Sequence, residues 1–283
     1  VAFGNLNEMR AAISGKTAAI LAEPIQGAGG MNPATAEYLQ ELRKTADEFG
    51  ALLIFDEVQC GMGRSGSLFA YSQANTEPDI MGLAKGIGGG FPVGAVLASE
   101  KAAIGMVPGT HGSTYGGNPL AMAAANAVLD VMLEPGFIES VIEKGVYLRK
   151  SLKKLNKDHP TIIESVRGTG LMLGLKCLGP NLELMTSFRD HKLLTVVAGD
   201  NVLRILPPLN VKIDELISHK IKFVIYANQT LRASHASMSK LLSLLINAKS
   251  INEVNDMMST MNDIFKLQDM YDTQQNVDQK SNQ

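Results

Sequence analysis

The chain has 283 residues, 45% of them apolar, with 26 basic and 28 acidic side chains and a formal net charge of −2. This is enough apolar material for one large domain with a smaller one attached, which excludes a wholly disordered chain. The near balance of charge supplies no overall positive field, which excludes the broad class of proteins that hold nucleic acid by electrostatics.

Thr17 to Ala22 reads as a buried strand that ends at Glu23-Pro24, because proline cannot continue a central strand. Thr35 can cap a helix running to about Phe49, with Tyr38, Leu39, Leu42 and Ala46 at helical spacing and Gly50 as terminator. Ala51 to Phe55 is a second buried strand, so strand, helix and strand form a crossover unit of a parallel sheet. Ile80 to Ala84 and Val93 to Ala98 are further short apolar segments around the cluster Gly86, Gly88, Gly89 and Gly90. Asn118 to Leu133 predicts a helix, Pro135-Gly136 breaks it, and a long amphipathic helix follows from about Ile138 to Leu155. Strands are expected at Ile162 to Val166, Leu171 to Leu175, Leu193 to Val197 and Val202 to Leu206, with a helix starting near Asp214. The result is an α/β chain: residues 1–136 as part of a large domain, 137–226 as a small α+β domain, and 227–283 as an atypical tail, partly helical or disordered.

Two features suggest chemistry. Asp56 and Glu57 follow the strand Ala51 to Phe55, at the carboxyl edge where ligands sit in open parallel sheets. A carboxylate there can bind a metal, cap a helix or pair with a ring nitrogen. Lys85 closes the apolar segment Ile80 to Ala84, either as half of an ion pair or as an amine presented to an electrophilic carbonyl. The glycines from Gly86 to Gly90 lack the ordered lysine and hydroxyl of an ATPase phosphate loop. His159, His191, His219 and His235 show no ligand spacing, and the scattered methionines are core filler. Cys60 and Cys177, the only cysteines, are too few for a disulfide scaffold and point to a reducing compartment, the cytoplasm. No apolar run reaches the roughly 18 residues of a bilayer span, and the first residues given lack the basic and apolar regions of a signal peptide.

Taken together, the chain spells Glu23-Pro24-Ile25-Gln26-Gly27, Ile54-Phe55-Asp56-Glu57-Val58-Gln59, Lys85-Gly86, His111-Gly112-Ser113-Thr114-Tyr115-Gly116-Gly117-Asn118-Pro119 and Val202-Leu203-Arg204-Ile205-Leu206-Pro207-Pro208-Leu209. Over residues 1–226 this resembles the subgroup of fold-type I aminotransferases that includes acetylornithine, ornithine and 4-aminobutyrate aminotransferases, with the acetylornithine enzymes the most similar. The resemblance implies an incomplete, mostly parallel large-domain sheet with helices on both faces. It implies pyridoxal 5'-phosphate as cofactor, held as a Schiff base by Lys85, and no metal. Asp56 matches the partner of the pyridine nitrogen, Val58 the residue against one ring face, and Gln59 the donor near the phenolic oxygen. Ser113 and Thr114 match residues that reach the cofactor phosphate of a partner subunit, which implies a homodimer with shared active sites. Arg204 matches the arginine for the substrate α-carboxylate, and Glu23 belongs to the substrate side.

The implied reaction moves an amino group from N-acetylornithine, or from ornithine, succinyldiaminopimelate or 4-aminobutyrate, to the 2-oxo acid 2-oxoglutarate, as in arginine biosynthesis. No nucleic acid or membrane is expected as a partner. Ala28 stands where the resemblance implies a second glutamate, one that would pair with Arg204. The resemblance also implies further chain ahead of the position matching Val1, with the phosphate-holding loop and a ring-stacking aromatic residue. Residues 1–283 alone are therefore expected to show little or no transaminase activity, and an inactive piece acting only in interaction is the competing expectation. The tail beyond Ala227 is foreign to the family pattern.

Overall fold

The computed structural model describes residues 1–212. The expected helix near Asp214 and the tail after Ala227 lie outside the described residues. All described residues belong to one unit, Val1–Ile225.

The first elements are α1 (Leu6–Ala12), β1 (Ala19–Ala22), the short hairpin β2 (Ile25–Gln26) and β3 (Asn32–Pro33), α2 (Ala36–Phe49) and β4 (Leu52–Asp56). Helix α2 has the expected limits. The Thr35 hydroxyl accepts from the Tyr38 N–H at 3.1 Å, and Gly50 ends the helix with φ 67°. Strand β4 pairs parallel with β1, Ala22 lying opposite Phe55. One carboxylate oxygen of Asp79, Oδ2, accepts from both the Leu53 N–H and Arg43 Nη1 at 2.8 Å, which fastens α2 to the sheet.

Strand β5 (Ile80–Leu83) joins β4 in parallel, and β6 (Ala95–Ala98) returns antiparallel beside it, giving the order β1-β4-β5-β6. The sheet is mostly parallel, as expected, with β6 the exception. Its core packs Ile20, Leu53 and Phe55 against Tyr38, Leu39, Leu42 and Ala46 of α2. Leu21 on β1 and Val96 on β6 are exposed among the described residues.

The chain continues through α3 (Glu100–Ala103), α4 (Pro119–Leu133) and α5 (Phe137–Asp158). Asn118 caps α4 by accepting from the Ala121 N–H at 2.9 Å, and Pro119 sits in the first turn, where its missing donor costs nothing. Among the described residues no single helix is long and apolar enough to cross a membrane.

A second sheet is built from β7 (Ile163–Thr169), β8 (Met172–Cys177), β9 (Val196–Ala198) and β10 (Val202–Ile205), with α6 (Asn181–Asp190) between β8 and β9. It is antiparallel in the order β7-β8-β10-β9. Leu171, Leu173, Leu175, Leu203 and Ile205 bury one face against Val141, Leu148 and Leu152 of α5. Met172 and Val202 bury the other face with Ile25, Met31 and Cys60, which seats this sheet on the β2–β3 hairpin and the segment after β4.

Leu42 is fully buried in the α2 stripe, whereas Lys44 points to solvent. Leu42→Ala is expected to lower unfolding stability by about 2–5 kcal/mol, and Lys44→Ala to change it by no more than about 0.5 kcal/mol. Denaturant titration of the two variants checks the contrast.

Candidate active site

The alternation of β4 decides what the acidic pair does. Leu53, Phe55 and Glu57 point inward, while Leu52, Ile54 and Asp56 share the other, half-buried face. Asp56 lies opposite Gly82 of β5, and the Glu57 N–H donates to the Gly82 carbonyl at 3.0 Å. Asp56 Oδ1 accepts from the Val58 N–H at 2.9 Å, while Oδ2 makes no hydrogen bond or ion pair among the described residues.

Glu57 is only 1% exposed and is an anchor for the backbone. Its Oε2 accepts from the Ala70 N–H at 2.9 Å and its Oε1 from the Tyr71 N–H at 2.8 Å, while the Cys60 thiol lies 3.4 Å from Oε2. Burial pushes the Glu57 carboxyl above its ordinary value, partly offset by the two N–H donors. Burial, and then the nearby Glu57 charge, push the Cys60 thiol up, so it is not poised as a nucleophile.

Lys85 follows β5 by two positions and opens a tight turn, Lys85–Gly88, with φ 48°. A non-glycine residue at that φ is uncommon, and such backbone clusters at functional sites. Helix α4 packs against this turn. Lys85 is exposed and makes no ion pair among the described residues.

Arg204 arrives from the second sheet. Its Nη1 donates to Gln59 Oε1 at 3.4 Å, its Nε is buried without a partner, and among the described residues it pairs with no carboxylate. Burial lowers its pKa from the ordinary arginine value. Beneath Gln59 lies Gly27, whose N–H donates to Glu23 Oε2 at 3.1 Å. A methyl group on Gly27 would overlap the Gln59 side-chain amide.

The structure thus links Asp56, Val58 and Gln59 on one run, places Lys85 three residues beyond Gly82, the β5 partner of Asp56, and joins Arg204 and Glu23 to Gln59 directly or through Gly27. Ser113 and Thr114 are not joined to this group by any contact among the described residues. They lie exposed in the turn before α4, with Ser113 Oγ accepting from the Gly116 N–H at 2.9 Å.

The family model Aminotransferase class-III matches residues 2–224. The chain belongs to the class-III aminotransferases. It is 54% identical over 211 residues to an acetylornithine aminotransferase of Mesorhizobium japonicum, an alignment covering 75% of this chain and 53% of that protein. It is 51% identical over 217 residues to one of Clostridium acetobutylicum, covering 76% and 56%. The chain therefore spans about half the length of the curated relatives it matches. Among solved structures, N-acetylornithine aminotransferase from Stenotrophomonas maltophilia superposes with a TM-score of 0.69 at 37% identity, covering 77% of this chain and 58% of that one. Ornithine aminotransferase from Plasmodium yoelii gives 0.71 at 32% identity, covering 77% and 59%. The aminotransferase fold expected from the motifs is the one observed.

Two features of this candidate site, the anchoring of the backbone by Glu57 and the bare Gly27, were not expected from the sequence. The inward turn of Glu57 was readable from strand period. The need for Gly27 to be bare was not, because Gln59, the residue that requires it, reaches it only through the fold. Gly27→Ala is expected to cost about 1–3 kcal/mol by forcing Gln59 aside, and to cost much less when Gln59 is already alanine. Thermal denaturation of both singles and the double variant measures this; equal costs in the two backgrounds would refute the contact.

Proposed function

We propose that this chain belongs to a pyridoxal-phosphate-dependent transaminase that moves an amino group from N-acetylornithine, or a related ω-amino acid, to 2-oxoglutarate, in the cytoplasm and in the service of arginine biosynthesis. The observation that carries the reading is Asp56 at the end of a parallel strand pair, opposite Gly82 and beside the strand that leads into Lys85. The names of the relatives support the donor, and the free, buried Cys60 and Cys177 are consistent with a reducing compartment.

The residues present fit the cofactor. Asp56 Oδ2 is uncommitted, Lys85 has no counter-ion, and the buried Nε of Arg204 has no partner among the described residues. When bound, pyridoxal phosphate supplies an electrophilic aldehyde carbon and a ring that accepts electron density from the substrate. Lys85 is the amine that holds the group and then moves the proton at the substrate α-carbon. Asp56 would keep a proton on the ring nitrogen through a charge-assisted bond, Val58 would pack against the ring, and Gln59 would donate to the ring's oxygen. Arg204 offers a planar pair of donors to the substrate α-carboxylate.

The neutral side chain of Ala28 cannot compete for that guanidinium, so Arg204 stays available through both halves of the exchange. Glu23 holds the Gly27 turn on the substrate side. Ser113 and Thr114, exposed here, reach the phosphate bound by a second copy of the chain, which makes the working unit a homodimer. Residues 1–136 then belong to the large cofactor-binding domain and 137–226 to the small carboxyl-terminal domain.

In the full-length protein, Lys85→Ala is expected to abolish borohydride-dependent capture of pyridoxal phosphate, read by peptide mass. An unchanged yield of adduct on another lysine would overturn the assignment of Lys85. Arg204→Lys is expected to raise KM for both the amino and the keto substrate on the order of tenfold, with cofactor capture unchanged, because the ammonium lacks the paired donor geometry. Unchanged KM for both would remove Arg204 from the carboxylate role.

A further inference from the structure

The bond between Arg204 and Gln59 is long at 3.4 Å, at the outer limit for a hydrogen bond, and cannot by itself hold the second sheet against the segment after β4. Something firmer must set that spacing. The segment that follows Arg204 reads Leu206-Pro207-Pro208-Leu209, and its two prolines have no N–H with which to extend β10 by strand pairing. Two of its carbonyls, those of Pro207 and Leu209, are taken by side-chain cations instead. Arg64 Nη1 donates to the Pro207 carbonyl, and Lys144 Nζ donates to the Leu209 carbonyl at 3.0 Å.

Arg64 makes more of this seam. Its own carbonyl accepts from the Leu171 N–H at 3.0 Å, and its Nη1 donates back to the Leu171 carbonyl at 3.2 Å, a reciprocal clasp at the β7–β8 turn. The approach is close enough to require glycine at position 170, where φ is 54° and a Cβ would overlap the backbone of Ser65 and lie 2.7 Å from the Arg64 carbonyl oxygen. Behind it, a Cβ on Gly145 of α5 would lie 2.8 Å from the Gly170 carbonyl. Burial lowers the Arg64 guanidinium to about 10, and among the described residues it pairs with no carboxylate, so its charge is spent on backbone carbonyls. Charge-assisted bonds of this kind are stronger than the neutral contacts around them.

We propose that Arg64 is a positioning residue for substrate binding: it fixes the loop that carries Val58 and Gln59 to the strand end that carries Arg204, and so sets where the guanidinium of Arg204 meets a substrate carboxylate. This rests on the reading of Arg204 as the carboxylate receptor. The loop has its other end tied down by Glu57, so without Arg64 the slack falls on the Arg204 side of the seam. Among the described residues the Arg64 side chain bonds only the Leu171 and Pro207 carbonyls, and it makes no hydrogen bond or ion pair to Lys85, Asp56 or Gln59.

The test uses the full-length protein saturated with pyridoxal phosphate, two amino donors that differ only in having or lacking the α-carboxylate, and the variants R64M, R64K and R204K. R64M is expected to raise KM for the carboxylate-bearing donor and for 2-oxoglutarate on the order of tenfold, since a displacement of about 1 Å at a binding group costs that much or more. It should leave kcat within about twofold and KM for the donor without a carboxylate unchanged. Added to R204K, R64M should cost little more, because both changes act on one contact. If R64M does not fold, R64K decides, with an expected rise of a few-fold in the same two KM values alone.

A fall in melting temperature with all KM values unchanged, or an equal rise for both donors, would overturn the positioning role. If R204K leaves KM for the carboxylate-bearing donor unchanged, the reading of Arg204 fails first. If R204K raises it and both Arg64 variants do not, only the present proposal fails.

Discussion

The path of the chain out of β4 is governed by a buried carboxylate. Removing Glu57 from water is costly unless its lone pairs are met, and here two backbone N–H groups and a thiol meet them. Those N–H groups belong to Ala70 and Tyr71, at the start of a short helical turn that would otherwise leave them without acceptors. The exchange closes the segment 57–70 into a fixed loop. Asp56 sits on the threshold of that loop facing the other way, because adjacent residues of a strand point to opposite sides. One acidic residue thereby holds the scaffold, and its neighbour keeps one carboxylate oxygen uncommitted among the described residues.

The second sheet is antiparallel and has its own core with α5, so its placement against the first sheet is a separate matter from its folding. Placement comes from a thin set of contacts. Met172 and Val202 bury against Ile25, Met31 and Cys60, and Gly199 donates to the Ala28 carbonyl at 2.7 Å. Asp200 binds Arg167 and Lys176, and Arg167 also donates to Asn32 Oδ1 on the hairpin. Arg64 closes the opposite side of the seam. Partly exposed ion pairs such as those of Asp200 contribute little stability each, but they fix register where the apolar contact area is small.

Glycine serves this arrangement mainly by leaving space. Gly27 lets the Gln59 amide lie flat over the turn held by Glu23, and Gly145 lets α5 approach the β7–β8 turn. These close approaches transmit position from one element to the next with little slack, since a packed interior yields little to small displacements. The proposed site, drawn from both sheets, needs that stiffness, because Arg204 on one side and Asp56 and Lys85 on the other come from distant parts of the chain.

The sequence by itself determined most of the local structure. The caps at Thr35 and Asn118, the stop at Gly50 and the apolar periodicity of α2 and α5 act over a few residues, so the pattern exposes them. The motifs around Asp56, Lys85 and Arg204 marked the family for the same reason. Helix α6 was not foreseen: Pro180 precedes it without a side-chain cap, and none of its residues is fully buried. The hairpin β2–β3, two residues a strand, is too short to show a period. Only the tertiary structure decided that Gln59 rests on Gly27 and meets Arg204, 145 positions away, and that Arg64 reaches Pro207 across 143. Contacts at that separation leave no local pattern, because they arise where two sheets from distant parts of the chain meet, and the free energy that selects them belongs to the seam.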